Sequence, residues 1–139
     1  MADPDSIIAA LNLKPHKEGG WYSETHRIAA SESQRSPGTA IYYLLKAGER
    51  SHWHRIDATE TWHFYAGDPL QLTRSFGRGQ EVQILGPDIL AGQRPQVVVA
   101  PGQWQAATTT GAWTLVGCTV SPGFDFSAFE LAPPDWTPE

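Results

Sequence analysis

The chain has 139 residues, of which 40% are hydrophobic and 18% charged, and its formal net charge is −5. This is the length of one ordinary domain, so residues 1–139 are expected to form a single domain with its own core. An acidic chain without a basic run argues against nucleic acid or an anionic membrane as a partner. The single cysteine, Cys118, excludes an internal disulfide. No signal peptide or membrane-length apolar run is visible, so a cytoplasmic protein is expected.

The first segment is predicted to be a short helix over residues 3–13. Asp3 or Asp5 can cap its N-terminus, and Lys14-Pro15 ends it. A loop over residues 16–20 follows, and its two glycines allow a tight entry into a strand.

Alternating residues then predict a strand over residues 21–29, and a Ser-rich connection follows over residues 30–38. The remainder consists of short β-branched and aromatic runs separated by Gly, Pro and Asp. Strands are predicted over residues 39–45, 51–55, 60–66, 69–76, 80–86, 95–100, 103–109, 112–121 and 124–131, with an irregular tail over residues 133–138. This spacing is typical of an all-β sandwich or barrel with antiparallel pairing.

Three polar side chains stand out among these strands. His52 and His54 are two residues apart, so strict alternation places both imidazoles on one face. Glu60 opens the next strand and can return a carboxylate to the same space. Two histidines and one carboxylate form a workable site for a divalent transition metal, and Gln105 on a later strand could add an amide.

The same residues carry a resemblance to a known superfamily. Gly48-Glu49-Arg50-Ser51-His52-Trp53-His54, then Glu60, then Gly67 resembles the first cupin motif. Pro101-Gly102-Gln103-Trp104-Gln105 resembles the second motif, with Gln105 where the third histidine ligand usually stands. More narrowly, residues 13–22, 53–69 and 117–126 resemble a family of small cupins that is labelled "predicted sugar epimerases".

The resemblance implies an all-β double-stranded β-helix, the cupin or jelly-roll barrel, with a short N-terminal helix. It also implies a homodimer and a pocket at the barrel mouth into which His54 and Glu60 project. An amide oxygen is a weaker transition-metal ligand than imidazole, so Gln105 departs from the metal-binding pattern.

Three functions remain open. The first is an isomerase or epimerase in which His54 abstracts a proton beside a carbonyl, Glu60 orients it, and a tyrosine or Gln105 steadies the enolate. The second is a metal-dependent enzyme that holds Fe, Mn, Ni or Zn through His52, His54, Glu60 and Gln105. The third is a non-catalytic cupin that binds a small molecule. The expected substrate-binding residues are Tyr22, Trp62, Gln105 and Arg55.

Other chemistry-bearing residues have simpler expectations. His16 is expected at the surface or an interface because it lies in a loop, and His63 is expected on the opposite strand face from Glu60. Cys118 is expected to be a small core residue, since no base lies beside it in the sequence.

Overall fold

The computed structural model describes residues 2–139 as two facing antiparallel sheets preceded by one short α-helix. The helix α1 spans Pro4–Ala10, and the Asp3 side chain caps it by accepting a hydrogen bond from the Asp5 backbone N–H at 3.2 Å. It is shorter than the predicted 3–13 because Asn12 adopts a left-handed φ of 55°. None of the helices in residues 2–139 is long and apolar enough to span a membrane.

The strands follow the predicted order closely. They are β1 (Lys14–Pro15), β2 (Trp21–Arg27), β3 (Thr39–Lys46), β4 (Ser51–Arg55), β5 (Thr59–Gly67), β6 (Leu70–Ser75), β7 (Glu81–Leu85), β8 (Gln96–Val99), β9 (Trp104–Thr109), β10 (Trp113–Ser121) and β11 (Glu130–Leu131). Two short 3-10 helices lie at Ile89–Ala91 and Phe126–Ala128.

The strands divide into a six-stranded and a five-stranded sheet. The first has the order β1-β2-β3-β10-β5-β8, and the second has the order β11-β4-β9-β6-β7. Every pairing between these neighbouring strands is antiparallel. The all-β barrel of two sheets that the sequence predicts is therefore confirmed.

The apolar core fills only part of the space between the sheets. Its central cluster is made of side chains that alternate inward along the long strands: Tyr43, Leu45, Trp62, Leu70, Leu72, Leu85, Val97, Val99, Ala107, Val116 and Cys118. At the other end of the same strands the inward positions become polar or smaller, as at Thr39 and Glu60, and a cavity remains there. The core thus closes one end of the barrel and leaves the other for a site.

The predicted strand over residues 124–131 is wrong. Only Glu130 and Leu131 pair, with Arg55 and His54 of β4. Before them Asp125 caps a 3-10 turn by accepting a hydrogen bond from the Ser127 N–H at 3.0 Å. The alternating phenylalanines that suggested a strand pack against one another instead. Local capping and aromatic packing override the period-two pattern here.

Gly67 ends β5 at a position where the backbone needs a left-handed conformation. Its φ is +86°, and a Cβ atom there would stand 2.5 Å from the Trp113 carbonyl oxygen. Gly48 has almost the same φ, +85°, but its Cβ would meet nothing within 4 Å. A comparison of alanine substitutions at these two glycines therefore separates the cost of backbone strain from the cost of a steric clash.

We expect Gly48→Ala to lower the free energy of unfolding by about 1 kcal/mol, from the strained φ alone. Gly67→Ala should lose about 2 kcal/mol more, because the new methyl group must displace β10 at Trp113. Chemical denaturation of both variants measures this difference. Equal losses in the two variants would contradict the close approach of β5 and β10 at this point.

Candidate active site

A cavity of about 450 Å³ opens between the two sheets at the end of the barrel that the apolar core leaves free. Titratable, aromatic and aliphatic side chains share its walls. Its lining residues are Lys14, His16, Glu18, Tyr22, Glu24, Arg27, Thr39, Ile41, His54, Ile56, Glu60, Val120, Phe124, Asp125 and Phe126. This volume is in the range of pockets that enclose small metabolites.

A bulge in β4 decides which histidine enters the cavity. Ser51 pairs with Ala107 and His54 pairs with Gln105, so β4 has one more residue than β9 between the two pairs. Trp53 packs in a cluster with Trp104 on the outer side of the sheet. His52 also faces outward, where its Nε2 lies 2.8 Å from the Pro133 carbonyl oxygen. The expectation that His52 and His54 share a face is wrong because the extra residue breaks the alternation.

The orientation of His54 is fixed by its own strand. Its Nδ1 lies 2.7 Å from the His52 carbonyl oxygen. A carbonyl only accepts hydrogen bonds, so Nδ1 carries the proton and Nε2 of the neutral ring presents a lone pair. Burial lowers the pKa of His54, and the nearby Glu60 carboxyl partly opposes this. His54 is therefore a neutral imidazole whose basic nitrogen faces the cavity side.

Glu60 is held by a buried chain of hydrogen bonds. The Trp62 indole N–H donates to Gln105 Oε1 at 2.7 Å, and Gln105 Nε2 donates to Glu60 Oε1 at 2.8 Å. Burial raises the pKa of Glu60 to about 7, and the Glu18 carboxyl adds to this, while His54, Gln105 and Cys118 act in the opposite direction. Glu60 therefore exchanges a proton near neutral pH.

The same series of hydrogen bonds also fixes the places of Gln105 and Trp62. Gln105 is completely buried, and both ends of its amide have partners. Trp62 is 1% exposed within the apolar core. Neither residue lines the cavity. Trp62 and Gln105, which were expected to contact the substrate, instead position Glu60.

Of the other expected substrate contacts, the structure brings only Tyr22 to the cavity. Arg55 lies outside it, where its guanidinium bonds Glu130 at 3.0 Å and stacks over the Trp104 ring. Alternation accounts for this placement, since the residue after the inward His54 faces outward.

Two residues that were not expected in the site lie deep within it. The side chains of His16 and Glu18 are only 4% and 9% exposed, although both belong to the loop before β2. Glu18 Oε1 lies 3.3 Å from His16 Nδ1 and 3.5 Å from His54 Nε2. The expectation that His16 is a surface residue is wrong because the loop turns into the barrel mouth. The spacing His16-x-Glu18-Gly19-Gly20 was the available signal, since two flexible glycines allow this turn.

A cluster of phenylalanines forms the outer wall of the site. Phe124, Phe126 and Phe129 surround the His16 ring with centroid distances of 5.9 to 6.4 Å. Phe129 also stacks on the His54 ring at 5.4 Å. These rings exclude water from one side of both histidines, and that accounts for part of their desolvation.

The expected metal ligands are not assembled. His52 faces the opposite side of its sheet, and the Gln105 oxygen is engaged by Trp62. Within residues 2–139, no three His, Cys, Asp or Glu side chains are arranged to hold a metal ion. The residues present therefore do not fit the two-histidine, one-carboxylate centre that the sequence suggested.

Two solved structures resemble this chain over nearly its whole length. A protein from Shewanella oneidensis is 40% identical, with a TM-score of 0.90 over 95% of this chain and 85% of that chain. A hypothetical protein from Leishmania major is 32% identical, with a TM-score of 0.87 over 94% and 88% of the two chains. Oxalate decarboxylase from Bacillus subtilis, at 11% identity and a TM-score of 0.64 over 85% of this chain and 29% of that chain, shares the fold alone.

The family comparison agrees with these structures. No curated protein matches the chain. The model of the Cupin_5 family, described as "Cupin superfamily (DUF985)", matches residues 5–132. The cupin resemblance drawn from the motifs is thereby confirmed, and the chain belongs to the Cupin_5 family of the cupin superfamily.

Proposed function

We propose that this cupin is a small-molecule isomerase or epimerase that moves protons within the cavity. One observation carries the proposal: a basic imidazole, His54, and a carboxyl that protonates near neutral pH, Glu60, line the same cavity. Titratable groups whose environments separate their roles as acid and base are typical of proton-transfer enzymes.

His54 is the proposed base. Its Nδ1–H is committed to the His52 carbonyl, so its Nε2 takes a proton from a carbon beside a substrate carbonyl. The electron pair of the broken C–H bond forms an enolate. The role expected for Glu60, that of orienting His54, thus falls to a backbone carbonyl of β4.

Glu60 is the proposed acid. With a pKa of about 7 it is partly protonated at neutral pH and can donate to the developing enolate oxygen. His54 Nε2–H then returns its proton to the neighbouring carbon, which gives the isomer, or to the opposite face of the same carbon after the enol has turned in the cavity, which gives the epimer. Glu60 recovers its proton from the enol oxygen as the carbonyl re-forms. Gln105 and Trp62 hold the carboxyl in place without touching the substrate.

The homodimer that the cupin resemblance implies also belongs to this proposal. The outer face of the six-stranded sheet exposes Tyr65 and Val98, which are 52% and 49% exposed. Aromatic and apolar side chains are enriched in the cores of subunit interfaces.

Sedimentation velocity should therefore show a species of twice the 15.3 kDa chain mass. Tyr65→Lys, which places a charge on this face, should shift it toward the monomer. A monomeric wild-type protein at high micromolar concentration would refute the dimer.

Solvent exchange tests the proposed chemistry. In D₂O, wild-type protein should incorporate deuterium beside the carbonyl of at least one member of a panel of free and phosphorylated ketoses and aldoses, followed by proton NMR. His54→Gln and Glu60→Gln should each slow this exchange by about 100-fold or more, the usual contribution of one acid or base. The rate should fall as pH rises through about 7, because Glu60 then loses the proton that it donates.

His63→Gln is the matched control, since His63 lies on the outer face of β5 beside Thr119. It should exchange at the wild-type rate. Absence of exchange across the panel, together with a ligand that raises the melting temperature and is recovered unchanged, would replace the proposal with a non-catalytic binding cupin.

The protonation of Glu60 can also be measured without substrate. Its pKa is raised from the ordinary 4.5 to about 7, so its proton stabilises the fold below pH 4.5 and this stability is lost as pH rises through 7. At about 1.4 kcal/mol per pKa unit, the loss reaches at most about 3 kcal/mol. Glu60→Gln should therefore gain stability relative to wild type between pH 5 and pH 8.

Urea unfolding at the two pH values gives this difference. Glu32→Gln, an exposed carboxyl in the connection between β2 and β3, should show none. A Glu60→Gln curve that stays parallel to wild type across the range would show that Glu60 is ionised throughout.

A further inference from the structure

Glu18 has a side chain that is only 9% exposed, and the proposed chemistry has no use for its carboxyl. Its carboxyl lies between the two cavity histidines, with Oε1 at 3.3 Å from His16 Nδ1 and at 3.5 Å from His54 Nε2. The Ser51 hydroxyl donates to its other oxygen, Oε2. One oxygen is thus satisfied from the β4 side, while the other faces two ring nitrogens.

The hydrogen bonds of the two rings define what Oε1 faces. His54 Nδ1 is protonated toward the His52 carbonyl, so Nε2 of its neutral ring carries a lone pair. The Glu18 backbone N–H donates to His16 Nδ1 at 3.1 Å, so this nitrogen also carries a lone pair. A carboxylate oxygen between two lone pairs is repelled by both. One proton between Oε1 and His54 Nε2 turns that contact into a hydrogen bond, whereas the single lone pair of His16 Nδ1 already accepts the Glu18 backbone N–H.

The surroundings of Glu18 favour a shared proton over full ionisation of its carboxyl. Burial raises the pKa of Glu18 and lowers the pKa values of His16 and His54. Glu18 in turn raises the pKa values of Glu60, Tyr43 and Cys118. Lys17 lies near enough to lower that of His16.

We propose that Glu18 shares one proton with His54, and that Glu18 is the positioning residue that stabilises the protonated form of the base His54. The second part rests on the proposed function, because it takes His54 as the base. Once the pair has lost this proton to solvent, His54 Nε2 carries a free lone pair and takes the substrate proton. The pair then holds that proton between Nε2 and Oε1, and the cavity gains no unpaired charge.

Titration of the histidine ring nitrogens by ¹⁵N NMR, without substrate, tests the shared proton. In wild-type protein the His54 ring nitrogens should shift in one upper step, as the first proton enters the Glu18–His54 pair. In Glu18→Gln this step should be lost, because an amide donates to His54 Nε2 but cannot release its proton. Glu24→Gln is the matched control, since Glu24 lines the same cavity but pairs with Arg27 at its exposed rim. It should keep the step unchanged.

Ser51→Ala provides a second variant that leaves Glu18 in place. Loss of the Ser51 hydrogen bond raises the pKa of Glu18, so the upper step should move to higher pH by about one pH unit. This variant decides the question if Glu18→Gln fails to fold. An upper step that stays in place in Ser51→Ala, or that survives in Glu18→Gln, would overturn the shared proton.

Deuterium exchange separates this inference from the proposed function. A shared step in the titration without exchange on any sugar would leave the shared proton standing and refute the isomerase. Exchange that requires His54 but is unaffected by Glu18→Gln would leave the isomerase standing and refute the role of Glu18 in stabilising protonated His54.

Discussion

The extra residue in β4 is the constraint on which the rest of the site depends. Between the pairs Ser51–Ala107 and His54–Gln105, this strand carries two intervening residues against one in β9, and both of them, His52 and Trp53, face outward. The bulge therefore brings Ser51 and His54 to the same inner side, where both contact the Glu18 carboxyl. Without it, strict alternation would place only one of Ser51 and His54 on the inner side, with either His52 or Trp53 turned inward beside it.

The second constraint is electrostatic. Two carboxyls, Glu18 and Glu60, lie deep in the cavity beside the imidazoles of His16 and His54, and burial is the largest cause of the pKa shift of each. It acts in opposite directions on acids and bases, so it favours neutral carboxyls beside neutral imidazoles. A proton that enters or leaves such a cluster changes its net buried charge by one unit. Gln105 contributes to this balance, because it gives Glu60 a neutral donor and leaves the carboxyl free to titrate.

The sequence predicted the fold well because the strands are long, alternate clearly and are separated by turn residues. The boundaries of β3, β5 and β10 lie within a few residues of the predictions. The failures have a common cause, which is that side-chain pattern does not report backbone irregularity. The bulge in β4 is invisible in the letters Ser51-His52-Trp53-His54, and the cap at Asp125 gives Phe124 to Phe129 the spacing of a strand without its hydrogen bonds. His54, Glu60 and Tyr22 were placed in the cavity by the sequence, whereas His16 and Glu18 were not, because a loop has no periodicity from which to infer a direction.

Gln105 shows how one fold can carry different chemistry at equivalent positions. By the resemblance of its motif, this residue stands where many cupins have a third histidine ligand, but here it is built into a chain from Trp62 to Glu60 that uses both ends of its amide. An imidazole at this position could satisfy only one of these partners while its other nitrogen faced a ligand. The amide therefore does more than weaken a metal site. It donates a hydrogen bond that fixes the Glu60 carboxyl in place and favours its ionised form, against the burial that raises its pKa to about 7.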